Sequence, residues 1–129
     1  MLNRKVLFVD DEPHLLAAIA RKLRRDFDVL TACGADAGLK CLDEDGPFIA
    51  IVADMQMPGM DGIAFLRLVR EIQPDAARIM LTGNADQNTL RRALDEAEIA
   101  RFLTKPCSPE LLRDAILEVV NRDALPPAA

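Results

Sequence analysis

Five polar residues stand at the ends of short runs of branched and apolar side chains. Asp10 and Asp11 follow residues 5–9, Asp54 follows 48–53, Thr82 follows 78–81, and Lys105 follows 101–103. Three carboxylates drawn together repel one another and retain a proton at neutral pH unless a cation intervenes. Lys105 supplies one positive charge, which falls short. A hard divalent cation with oxygen ligands completes the balance. Mg2+ suits this role, because it is usually held by one or two carboxylates with waters and phosphate oxygens filling its octahedron. Such a site serves phosphoryl transfer, which asks little of a protein beyond positioning and neutralising the equatorial oxygens. Mg2+ on one side, the Lys105 ammonium on the other and the Thr82 hydroxyl as donor would provide both. The Asp54 carboxylate could then be the nucleophile, forming an acyl phosphate.

For these groups to meet, the chain must bring five segment ends to one place. The short runs at 5–9, 29–32, 48–53, 78–81 and 101–103 read as strands. Between them lie apolar stripes at helical spacing: Leu16, Ile19, Ala20, Leu23 and Phe27; then Phe65, Leu68, Val69 and Ile72; then Leu90, Ala93, Leu94 and Ala97. Leu112, Ala115, Ile116, Val119 and Val120 form the last stripe, and Gly38, Cys41 and Leu42 a weaker one. Five strands alternating with five helices predict an α/β fold with a parallel sheet covered on both faces. The run at 48–53 is apolar throughout, as a central strand requires, whereas Thr31 and Arg101 mark the second and fifth strands as edges. Ligands of such sheets bind beyond the carboxyl ends of the strands, where all five polar residues fall.

Composition narrows the function classes. The 129 residues carry 16 Lys+Arg against 21 Asp+Glu, a net charge of -5, and include neither Trp nor Tyr. The acidic balance argues against direct nucleic-acid or membrane-surface binding, both of which attract clustered Lys and Arg. Cys33, Cys41 and Cys107 form no CxxC pair and are odd in number, which suits a reducing cytoplasm. No apolar stretch approaches a membrane span and the first residues lack a signal-peptide pattern, so a cytoplasmic location is expected. Met55, Met57 and Met60 resemble a soft-ligand cluster, but thioethers do not suit Mg2+; loop packing is the expected role.

Four segments carry a family resemblance. Asp10-Asp11-Glu12-Pro13, the stretch from Asp54 to Gly62, Leu81-Thr82-Gly83 and Thr104-Lys105-Pro106 resemble the receiver domain of bacterial two-component response regulators. The likeness covers about residues 4 to 121, in family order and spacing. It implies a flavodoxin-like (βα)5 fold with strand order 2-1-3-4-5. Asp54 matches the phosphoacceptor, served by a sensor histidine kinase or phosphotransfer protein. Asp11, Asp54 and the Gln56 backbone carbonyl match the Mg2+ ligands, with Asp10 holding the metal through water and Mn2+ or Ca2+ substituting in crystals. Lys105 matches the lysine that contacts the phosphoryl oxygens, and its bond to Pro106 is expected to be cis. Thr82 and Phe102 match the switch pair that remodels the face made by the fourth helix, fifth strand and fifth helix. That face would control an output domain, a downstream protein or a phosphorylation-dependent homodimer. Gln56 and Asn84 match positions that tune the phosphoryl lifetime.

The resemblance implies a signalling domain that promotes only its own phosphorylation and dephosphorylation. Residues 1–121 are expected to form the receiver, with 122–129, which include Pro126 and Pro127, as a tail or the start of a linker. Residues 81–86 and 101–107 look similar to receivers joined to HD-type phosphodiesterase or AAA+ modules. The plain alternative for the acidic set is helix capping, which requires neither a doubled Asp nor a Lys after the last strand. A phosphohydrolase of the haloacid dehalogenase type would want a second Asp where Gln56 stands. A flavodoxin-like cofactor binder would want a glycine-rich phosphate loop where Asp10-Asp11-Glu12 would repel phosphate.

Overall fold

The computed structural model describes residues 3–83 and 86–124, with side chains up to residue 121. Five parallel strands form one sheet in the order β2-β1-β3-β4-β5. They are β1 (Lys5–Asp10), β2 (Asp28–Cys33), β3 (Ala50–Ala53), β4 (Ala77–Thr82) and β5 (Arg101–Thr104), and they alternate with α1 (Pro13–Leu23), α2 (Ala35–Asp45), α3 (Gly62–Ile72), α4 (Gln87–Ala97) and α5 (Pro109–Ala124). The expected architecture is the observed one.

Alternation along the central strands divides the core in two. Val6 and Phe8 of β1, Val52 of β3 and Ile79 and Leu81 of β4 pack with Leu16 and Leu23 of α1 and Leu112, Ile116 and Val119 of α5. Leu7 and Val9, Ile51 and Met80 pack the other way, with Leu42 of α2, Phe65, Leu66 and Val69 of α3, and Ala93 and Ala97 of α4. A period of two in the strands and of 3.6 in the helices thus yields one sheet with α1 and α5 on one face and the other helices on the opposite face. Every residue of β3 is buried, whereas β2 and β5 carry exposed positions, as edge strands do. Among the described residues no helix is long and apolar enough to cross a membrane.

Several local features depart from the sequence pattern. Phe27 belongs to no helix: α1 ends at Leu23, and a turn closed by the Phe27 N–H on the Leu23 carbonyl (3.1 Å) returns it to the same core. Phe48 precedes β3, because its N–H is taken by the Gln73 side chain at 3.0 Å rather than by a neighbouring strand. Ile72 and Leu94 are 53% and 49% exposed. In α4 the buried stripe runs through Thr89, Ala93 and Ala97, small side chains that let the helix lie close to α3. At the chain's far end α5 continues to Ala124, past residue 121, while residues 125–129 of the expected tail lie outside the described residues.

The α4 C-terminus holds a non-glycine residue in the left-handed region, Glu98 at φ 48. Glycine occupies that conformation without steric cost. Glu98→Gly should therefore raise stability by about 0.5–1 kcal/mol, against a few tenths lost with its exposed 3.4 Å pair to Arg70. A higher urea midpoint at unchanged slope would show it.

Candidate phosphoryl and metal site

The strand order places the site. From β1 the chain crosses to β2 on one side, while β3 adds on the other, so a crevice opens between the carboxyl ends of β1 and β3. Asp10 ends β1 and Asp11 follows it; Asp54 follows β3, its N–H bonded to the Val9 carbonyl at 3.1 Å. Thr82 ends β4, and Lys105 follows β5 with its N–H on the Thr82 carbonyl at 3.0 Å. Five residues spread over the chain thereby reach one end of one sheet.

Oxygens of Asp10, Asp11 and Asp54 lie within 4.8 Å of one another. The Lys105 ammonium donates to Asp10 Oδ2 at 2.9 Å and to Asp54 Oδ2 at 3.2 Å. Asp10 is only 4% exposed and Asp54 7%, while Asp11 faces solvent. Asp10 Oδ1 accepts the Glu12 N–H at 3.0 Å. Burial pushes the Asp10 carboxyl above its ordinary value; the bonds from Lys105 and the Glu12 N–H oppose that push, and the Asp54 charge adds to it. Burial works to lower Lys105, but the hydrogen bond and charge of Asp10, with those of Asp54, outweigh it and hold the ammonium above its usual range.

These shifts carry a sign. Because the folded Asp10 pKa is raised, this carboxyl favours the fold at pH below its unfolded value and ceases to as pH rises through the folded one. Asp10→Asn should therefore stabilise the metal-free protein at neutral pH, and the gain should fall away by about pH 3, below the carboxyl's ordinary 3.8. Urea unfolding in chelator at both pH values measures it, and added Mg2+ should narrow the difference by stabilising the parent.

Around the acids, a cleft of about 460 Å3 is lined by Asp11, Met55, Gln56, Met57, Pro58 and Asp61. The three methionines pack the loop: Met57 is buried, and Met55 and Met60 lie against the core. Gln56 is exposed beside Asp11. Thr82 is buried at 1% exposure. Phe102 is half-buried on β5 and packs against the core on the α2–α4 side, next in register to Met80. The Lys105–Pro106 peptide is cis. Asn84 lies outside the described residues.

Residues 6–117 match the response regulator receiver domain family. The chain belongs to this family.

The chain is similar to known receivers and regulators. It is 37% identical over 117 residues, 90% of its length, to the hydrogenase transcriptional regulatory protein HoxA of Bradyrhizobium diazoefficiens. It spans only about a quarter of the HoxA proteins it matches. A CheY-like receiver domain from Methanospirillum hungatei superposes with a TM-score of 0.89 at 26% identity, covering 95% of this chain and 98% of that one. A response regulator from Burkholderia pseudomallei, solved with a phosphorylated aspartic acid, calcium ion and citrate, superposes at 0.82 and 26% identity, covering 93% of this chain and 70% of that one. As a receiver of two-component systems, the domain functions in signal transduction.

Two residues of this receiver's site region escaped the sequence reading. The Asp61 side chain caps α3, accepting the Ala64 N–H at 2.8 Å; an Asp just before an apolar-periodic helix is a recognisable signal. Gly62 lies so close to the Asp54 carbonyl that a Cβ could not fit. Only the fold reveals that approach.

Proposed function

We propose that this receiver accepts a phosphoryl group on Asp54 in the presence of Mg2+, from the phosphohistidine of a sensor kinase or phosphotransfer protein. One observation carries the reading: Lys105 bridges Asp10 and Asp54 while an Asp11 oxygen lies within 4.8 Å of both. Three carboxylate oxygens around one ammonium are under-neutralised, and their hard donors fit Mg2+. Asp10, Asp11, Asp54 and the Gln56 backbone carbonyl would hold the ion. Once bound, it would neutralise phosphoryl oxygens opposite Lys105. The relative solved with a phosphorylated aspartic acid and a calcium ion supports the same chemistry here.

The chain's own groups divide the work. An Asp54 oxygen attacks phosphorus, the bond from phosphorus to the donor nitrogen breaks, and the imidazole leaves with that electron pair. Lys105 contacts the transferred oxygens, and Thr82 donates its hydroxyl to one of them. Drawing Thr82 toward the site, with Phe102 following, would change the α4-β5-α5 face that meets an output domain, a downstream protein or a second copy. Gln56 and Asn84 would gate the water that reverses the reaction.

Incubation with Mg2+ and acetyl phosphate should add the mass of one phosphoryl group, mapped to Asp54 after borohydride trapping. An unchanged mass under saturating donor would overturn the reading. Continued turnover of a generic phosphate ester would instead favour a phosphohydrolase.

A further inference from the structure

Among the described residues, α4 packs principally on α3. Its buried face is the small set Thr89, Ala93 and Ala97, and its one large apolar residue after Leu90, Leu94, is half exposed. The helix begins shortly after Thr82, so a displacement at the site reaches its N-terminal end first. Apolar burial alone secures such a helix poorly.

The opposite end is held chiefly by the Arg78 side chain. Arg78, at the start of β4 and far from the carboxylates, extends its guanidinium beneath the α4 C-terminus. Nε donates to the Ala97 carbonyl at 2.9 Å and Nη2 to the Glu98 carbonyl at 3.2 Å. Nη1 reaches the Ala76 and Pro74 carbonyls at 3.1 and 3.3 Å, in the segment joining α3 to β4. The Arg78 carbonyl accepts the Ala100 N–H at 2.7 Å. A planar cation with several donors thus joins two loops and neutralises the negative end of the helix dipole. Pairs from α3, Arg70–Glu98 at 3.4 Å and Arg67–Glu96 at 3.9 Å, add to the same end but are exposed and weak.

We infer that Arg78 is the pivot of α4, a positioning residue that anchors the helix's C-terminal end and restrains its rearrangement until the phosphoryl site is filled. This rests on the reading of Asp54 and Thr82 above. A ligand shifts a conformational equilibrium only by its differential affinity for the two states. Rearrangement of α4 would give up part of the Arg78 bonds to Ala97 and Glu98, so loosening the anchor lowers the cost of the rearranged state and a ligand that favours that state binds more tightly.

The test uses the full chain with Arg78→Gln and Arg78→Lys, Mg2+ with beryllofluoride as phosphoryl mimic, and two readouts. Without ligand, amides 94–100 of Arg78→Gln should exchange about tenfold faster while those of β1 and β3 keep their protection. Beryllofluoride, titrated by NMR, should bind about 3- to 10-fold more tightly to Arg78→Gln, with Arg78→Lys intermediate. Equal or weaker binding in both variants, or faster exchange throughout the sheet, overturns the inference. If Arg78→Gln fails to fold, Arg78→Lys decides by the same readouts. A parent that ignores beryllofluoride overturns the phosphoryl reading and the coupling together, whereas a responsive parent with silent variants overturns the pivot alone.

Discussion

Asp54→Asn is expected to abolish phosphoryl uptake while the domain stays folded. The amide matches the carboxylate in shape and removes one of three crowded negative charges, but its oxygen is too weak a nucleophile to form the acyl phosphate. The three acids are unequal candidates. Asp10 has both oxygens engaged, Oδ1 by the Glu12 N–H and Oδ2 by Lys105, which leaves neither free to attack. Asp11 is exposed and lies off Lys105. Asp54 is buried, and among the described residues Lys105 is the donor on its carboxylate, at Oδ2. Intact-mass measurement after acetyl phosphate and Mg2+ should show labelling reduced at least about 100-fold, a loss of roughly 2.7 kcal/mol or more in transition-state stabilisation. Undiminished labelling of the variant would move the acceptor to another side chain.

The second large effect concerns a residue with no functional group. Gly62 opens α3, its N–H bonded to the Met55 carbonyl at 2.8 Å, which draws the loop that follows Asp54 back against the helix. A Cβ at Gly62 would drive into the Asp54 carbonyl oxygen and lie 2.9 Å from Met55 Cα. Both neighbours are backbone, so relief requires moving the loop that carries Asp54 and Gln56. Gly62→Ala should cost about 2–3 kcal/mol, the scale of overpacking at a tight site, and should weaken Mg2+ binding as well. Gly83→Ala is the matched control: a Cβ there meets nothing within 4 Å, and its stability should change by no more than about 0.5 kcal/mol. Urea unfolding of the two variants, with and without Mg2+, separates local crowding from a general aversion to lost glycine.

Arg78 is an instructive case of what linear reading misses. In the run Ala77-Arg78-Ile79-Met80-Leu81 it looks like a polar interruption at the start of a strand. Its guanidinium is instead consumed by carbonyls of Pro74, Ala76, Ala97 and Glu98, the last two about twenty residues away. Likewise the stripe through Leu90, Ala93, Leu94 and Ala97 is genuine helical periodicity, yet the helix turns Thr89, Ala93 and Ala97 inward. Periodicity reports that a helix is amphipathic; which side chains at the stripe's edge meet a neighbour depends on where α3 lies.

By itself the sequence determined the βα alternation, the buried central strand, the polar edges and the chemical identity of the residues at the strand ends. These are properties of local composition, because hydrophobic period and strand length are decided within a few residues. Four motifs in order were enough to mark the receiver family. Only the tertiary structure decided how those residues act on one another. Lys105 meets Asp10 across 95 positions and Asp54 across 51. Burial beneath the packed helices makes Asp10 reluctant to ionise against the pull of Lys105, and the same contact holds Lys105 charged. Desolvation and Coulomb attraction depend on distance in space and on surrounding dielectric, and both exist only once the sheet has closed.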